Sequence, residues 1–136
     1  MDLTPYLSFD GTCGEAFAHY ARALGGTIVF SQTFKESPMA GDVTAEWGDK
    51  IMHTTLKAGG FTLMGADAPP SHFTTPQGFS LSIGTETPEE VERLFNAIAE
   101  GGNVTMPFQK TFWSSGFGMV VDRFGIPWMV NCSQRP

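Results

Sequence analysis

Apolar residues alternate with polar ones in short runs along most of the chain, and twice that alternation gives way to helical spacing. Residues 5–9, Pro-Tyr-Leu-Ser-Phe, alternate as a strand does, with Pro5 acceptable at its first position. Asp10-Gly11 turns the chain, and Thr12-Cys13-Gly14-Glu15 is a capping box in which the Thr12 hydroxyl accepts from the Glu15 amide. Phe17, Tyr20, Ala21 and Leu24 then recur at helical spacing, and Gly25-Gly26 supplies the left-handed residue that ends the helix. Thr27 to Phe34 is β-branched and aromatic, a second strand. Residues 35–49 hold Pro38, Gly41, Trp47 and Gly48 among acids and read as a loop. Ile51–Lys57 and Phe61–Met64 flank Ala58-Gly59-Gly60 and predict a hairpin.

Pro69, Pro70 and Pro76 mark a linker over 68–78, after which the pattern restarts. Leu7-Ser8-Phe9 is answered by Leu81-Ser82-Ile83, Thr12-x-x-Glu15 by Thr87-x-x-Glu90, and Gly25-Gly26 by Gly101-Gly102. The second helix buries Val91, Leu94, Phe95 and Ile98, with Pro88 in its first turn, where a missing amide costs nothing. A strand, an aromatic loop, a strand ending at Val121, a turn over Asp122–Gly125 and a closing strand through Val130 complete it. The unit is β-α-β-β-β, used twice. Residues 1–67 and 79–136 form the repeats of one domain of α+β class. A four-stranded sheet with one helix leaves its other face uncovered. In the second repeat Phe79, Met119, Trp128 and Met129 are expected there, and two such sheets side by side enclose a cup fit for a small molecule.

Composition narrows the partners. With 8 Lys and Arg against 14 Asp and Glu, a net charge of -6 and a pI near 4.8, the chain lacks the basic face that nucleic acid requires. The N-terminus has an acid where a secretory signal is basic, and no apolar run reaches membrane-spanning length, so a cytoplasmic location is expected. Cys13 and Cys132 lie far apart, which argues against a disulfide framework or a cysteine zinc site.

The segments PYLSFDGTCGEAFAHYARALGG, HTTLKAGGFTLMGAD and GGNVTMPFQKTFWSSGFGMVVDRFGIPWMVN resemble the PhnB-like branch of the vicinal oxygen chelate superfamily, the glyoxalase, bleomycin-resistance and extradiol dioxygenase fold. The resemblance implies paired β-α-β-β-β modules forming a curved, mostly antiparallel sheet cup, assembly as a homodimer, and in many members a divalent metal that polarises substrate oxygens. Chemistry of the isomerase, lyase or dioxygenase kind follows from it. The alternative is metal-free sequestration of a small molecule, as in bleomycin-resistance members. The four usual ligand positions fall near Pro5, His53, Phe79 and Met129, and only His53 is able to ligate, whereas a catalytic site needs about three protein ligands.

His53, in the strand Ile-Met-His-Thr-Thr-Leu, is the candidate catalytic or metal-binding residue. The same pattern is met by a strand histidine satisfied by a threonine or the backbone. Trp113, Ser114 and Ser115 occupy a loop, where a large aromatic walls a pocket, a dimer contact or the loop itself. The candidate cup residues are Trp113, Ser114, Phe79, Trp128 and Met129. Gln109 and Lys110 read as solvated surface, and Asp122 as a turn former. His19 and His72 are expected to be exposed, and neither cysteine has the basic neighbours of an activated thiolate. No G-x-S-x-G, Walker or G-x-G-x-x-G pattern occurs, which argues against the methyl-transfer name attached to this branch.

Overall fold

A computed structural model describes residues 1–134, and the chain divides into two compact units, Met1–Thr74 and the part from Thr75 onward. The first runs β1 (Tyr6–Phe9), α1 (Cys13–Leu24), β2 (Thr27–Thr33), β3 (Ile51–Ala58) and β4 (Phe61–Asp67). The second runs β5 (Leu81–Thr85), α2 (Pro88–Ala99), β6 (Asn103–Gln109), β7 (Phe117–Val121) and β8 (Pro127–Cys132). Each forms a four-stranded sheet, in the orders β1-β4-β3-β2 and β5-β8-β7-β6. The first and last strands of each unit pair parallel and the other neighbours antiparallel, the mostly antiparallel α+β arrangement that the repeat implied.

The registers show how closely the units repeat. Tyr6, Met64, Thr55 and Phe30 form one row across the first sheet, and Ser82, Met129, Met119 and Met106 form the same row across the second. Tyr6 therefore corresponds to Ser82, 76 residues on. The Leu7–Leu81 match slips by two residues, because Leu-Ser-aromatic and Leu-Ser-Ile look alike while hydrogen bonding sets the true alignment. The edge strands even share an irregularity: pairing skips Val29 between Ile28 and Phe30, and skips Thr105 between Val104 and Met106.

One helix covers one face of each sheet. In the first unit Phe9 and Phe17 meet edge to face at 6.0 Å, Phe17 and Tyr20 at 5.7 Å, and all three are buried. Phe17 lies so close to β4 that a Cβ on Gly65 would come within 2.6 Å of its ring. The second unit solves the same problem with Phe95 against Gly118. Both helices end on a left-handed glycine, Gly25 at φ 69° and Gly101 at φ 75°.

Three local expectations are corrected and one holds. The Thr12 side chain makes no capping bond: its backbone is not extended, and the Cys13 amide instead donates to the buried Asp67 carboxylate at 2.9 Å. Thr87 is extended and does cap, accepting from Glu90 at 3.3 Å. β4 continues through Gly65 to Asp67, because Asp67 is held by the amides of Cys13 and Ile51. His19 is buried beside Tyr20 at 5% exposure, since α1 turns Ala16, His19, Tyr20 and Ala23 inward where Ala21 and Leu24 were expected.

Candidate functional site

On the first sheet the face opposite α1 carries the one strand histidine. Leu56 and Ala58 are buried on the helix side, so Thr55 and Lys57 turn the other way. The β2–β3 pairing steps from Gln32–His53 to Thr33–Ile51, which leaves Met52 as an extra residue in β3 beside His53. Such a bulge re-aims the neighbouring side chain, and bulges concentrate beside active sites. Ile51 then faces α1, lying 3.7 Å from the position a Cβ on Gly14 would take.

His53 is held at both ring nitrogens. The Tyr6 hydroxyl lies 2.9 Å from Nδ1 and the Thr55 hydroxyl 3.2 Å from Nε2. Each hydroxyl is able to donate or accept, so one ring nitrogen donates and the other accepts in either neutral tautomer. The Tyr6 ring stacks on the imidazole at 5.5 Å and 27°, and Phe30 stands 5.7 Å from its other side. Tyr6 reaches His53 across β4, from the row it shares with Met64 and Thr55 toward the small Ala66 two positions further along β4. Tyr6 and Phe30 remain 51% and 48% exposed, an accessible aromatic frame around a satisfied imidazole. Burial raises the Tyr6 phenol above its ordinary value, with Cys13 adding to the shift, so Tyr6 stays protonated and offers a neutral hydroxyl.

The corresponding face of the second sheet is built differently. Phe117 occupies the place of His53, two residues before Met119 as His53 is two before Thr55. Trp113 covers Phe117 edge-on at 5.2 Å and donates its indole N–H to Asn131 at 3.2 Å. Phe112, 91% exposed, meets Trp113 at 4.7 Å. Met129 faces this side, whereas its neighbour Trp128 is 3% exposed on the helix side, its indole donating to Asp122 at 2.8 Å. Placing Trp128 with Met129 on one open face is corrected by simple alternation.

Ser114 is not a ligand-facing hydroxyl. It is fully buried, its Oγ lying 2.8 and 2.9 Å from the carbonyls of Gly116 and Cys132 and accepting from the Gly116 amide at 3.1 Å. It braces the loop that presents Trp113. Phe79 precedes β5 rather than lying in it, and is 48% exposed. Gln109 and Lys110 are exposed. Asp122 accepts from the amides of Phe124 and Ile126 and from Trp128, which makes it the organiser of its turn.

The donor set does not fit a metal. Among the described residues no three His, Cys, Asp or Glu side chains gather to hold an ion. A ligating histidine needs one ring nitrogen for the ion, while both nitrogens of His53 are engaged by hydroxyls. Of the four expected ligand positions, His53 stands on the third strand of its unit and Met129 on the fourth strand of its own. Burial pushes the Cys13 thiol far up, and the Asp67 carboxylate adds to it, so it is no nucleophile.

The threonine partner expected for His53 is Thr55, whereas Tyr6 and Phe30 were not foreseen. The signal available was alternation, which puts Thr55 on the face of His53; nothing local says that Tyr6 comes within reach.

Comparison with known proteins follows the same outline. A family model described as 3-demethylubiquinone-9 3-methyltransferase matches residues 1–131. The chain is 39% identical over 145 residues to Protein YjdN of Escherichia coli K12, covering all of this chain and 99% of that protein. Among solved structures it is similar to protein PA1353 of Pseudomonas aeruginosa, at 47% identity, TM-score 0.90 and 98% coverage of both chains. It is also similar to a Bacillus cereus PhnB protein described as a putative 3-demethylubiquinone-9 3-methyltransferase, at 25% identity, TM-score 0.82 and coverage of 97% and 99%. The fold extends to a glyoxylase/bleomycin resistance protein/dioxygenase domain from Frankia at 14% identity and TM-score 0.65, covering 98% of each chain.

Proposed function

The chain belongs to the PhnB-like family described as 3-demethylubiquinone-9 3-methyltransferase, within the glyoxalase-fold superfamily, and from that premise we propose that it is a metal-independent binding protein for a small organic molecule. The binding face is the open side of the first sheet. One observation carries the reading: His53 has both ring nitrogens on hydroxyls, those of Tyr6 and Thr55, inside an exposed aromatic frame. Such a frame stacks a flat ligand and presents hydroxyls that donate or accept, the combination of apolar wall and few polar groups found in ligand sites. No G-x-G-x-x-G strand-to-helix turn of the kind that holds a nucleotide cofactor occurs in the sequence.

The test is an amide and imidazole NMR titration with benzamide and indole in the presence of EDTA. Shifts clustered at Tyr6, Phe30, His53 and Thr55, and lost in His53→Gln, are expected. Perturbation that appears only when a divalent metal is added would overturn the reading.

A second reading rests on the 2.9 Å contact between Tyr6 and His53, a pair able to pass a proton. It makes the face catalytic, in isomerase or lyase fashion, with His53 as the base. Solvent deuterium washing into the enolisable carbon of phenylpyruvate faster with wild type than with His53→Gln supports it; equal rates remove it. Self-assembly as a homodimer belongs to the same proposal, supported by the β2 edge strand, whose Ile28, Val29 and Phe30 are all exposed. The cytoplasm is the compartment we assign: both cysteines are free and buried, and among the described residues no helix is long and apolar enough to cross a membrane.

A further inference from the structure

We infer that the open face of the first sheet selects an anion: a small planar molecule with one carboxylate-like group, which Lys57 meets while Tyr6 and His53 take the ring. This deepens the binding reading above and rests on it.

Charge is unevenly placed in the strands of the first unit. β1 to β4 contain one acid, Asp67, and one lysine, Lys57, in a chain whose net charge is -6. The two are turned to opposite faces. Asp67 is 2% exposed and points to α1, accepting from the Cys13 and Ile51 amides. Lys57 is exposed on the other face, between Thr27 and Thr62 in the register. The face around His53 therefore has no strand carboxylate. The nearest acid along β2 is Glu36, whose carboxylate is tied to the amide and hydroxyl of Thr33, paired with the helix-facing Ile51. Lys57 is also uncommitted. Among the described residues the ion pair is Lys35 with Asp49, and Lys50 donates to Gly11.

Spacing sets the ligand's size. Two residues along a strand span about 6.6 Å, which puts Lys57 about 13 Å from His53 and Thr55 midway. An extended lysine stem covers about half of that. The remaining gap suits one six-membered ring, its flat side against Phe30 and Tyr6 and its charged group at Lys57. A second ring system would overrun the row. The corresponding strands of the second unit hold no charged residue, so they offer an anion no equivalent partner.

The experiment is a pair of NMR titrations at low salt with EDTA, one with sodium benzoate and one with its neutral isostere benzamide. Benzoate is expected to bind at least about threefold more tightly, the scale of an exposed charge pair. Its shifts are expected at Thr55–Lys57, and the preference is expected to shrink in about 0.5 M NaCl. Lys57→Gln abolishes the preference and Lys57→Glu reverses it, both at an exposed position that leaves the fold intact. Equal binding of benzoate and benzamide to wild type overturns the anion inference while the binding face stands. Neither probe moving Tyr6, His53 or Thr55 overturns both.

Discussion

Replacing Ser114 by alanine tests whether the loop that carries Trp113 is held by a buried hydroxyl. The substitution removes one oxygen from a fully buried residue and leaves its neighbours in place. The hydroxyl has a single proton to share between the Gly116 and Cys132 carbonyls, so one donated bond is lost, about 1 kcal/mol net. The Gly116 carbonyl keeps the Cys132 amide at 2.8 Å and is spared. The Gly116 amide, which donates to Ser114 at 3.1 Å, is stranded in the interior at a cost of about 1–2 kcal/mol more. Ser114→Ala should therefore lose about 2–3 kcal/mol in urea unfolding, with the denaturant slope unchanged. Ser115→Ala is the control. Its hydroxyl donates to the Gln134 carbonyl in an exposed setting, and its loss should stay within about 0.5 kcal/mol. If the two variants unfold alike, the brace is not what holds the loop, and the assignment of Ser114 to structure rather than ligand falls with it.

Gly118→Ala should destabilise by about 1–3 kcal/mol in the same assay, because its Cβ would meet the Phe95 ring at 2.7 Å; Gly84→Ala, whose nearest neighbour is the Asn131 carbonyl at 3.7 Å, should be near neutral, and equal losses would refute the close-packing account. The raised Cys13 thiol predicts an alkaline weakness: the unfolded thiol ionises near its ordinary 9.0 while the folded one stays protonated. The unfolded state then binds fewer protons, and stability is constant below pH 9 and falls above it by about 1.4 kcal/mol per pH unit. Tyr6, also raised, adds to the slope above pH 10, so urea melts at pH 8, 9 and 10 should show the slope between 9 and 10 disappear in Cys13→Ala. Sedimentation at micromolar concentrations should give twice the 14.7 kDa chain mass, and Val29→Lys on the β2 edge should return it to one; a wild-type monomer would contradict assembly.

The element order was legible because each of its markers is local. The left-handed glycines 25 and 101, the Thr87 cap and the apolar period of α2 act within a few residues of themselves, and the structure keeps them. What a residue faces is decided elsewhere. Trp128 and Met129 were grouped by type, yet neighbours on a strand cannot share a face, and Asp122 drew the indole inward. Thr12 has the right residue type for a cap and lost the role to Asp67, 54 positions further along from the amide it serves. The two-residue slip in aligning Leu7 with Leu81 did less harm, since an even slip preserves the face.

Half of the candidate site was invisible for the same physical reason. His53 stands out by type, since an imidazole in an apolar strand is uncommon, whereas tyrosine and threonine are ordinary strand residues. The meaning of Tyr6 and Thr55 comes from the row in which the registers set them. Tyr6 reaches His53 over β4, so their contact depends on the β1–β4 register, the β3–β4 register and the bulge at Met52 together. An error of one residue in either register would turn one ring to the helix side. A contact between residues 47 positions apart therefore inherits the uncertainty of every pairing between them, and the side chains that define a site on an open sheet are the last part of it that a sequence discloses.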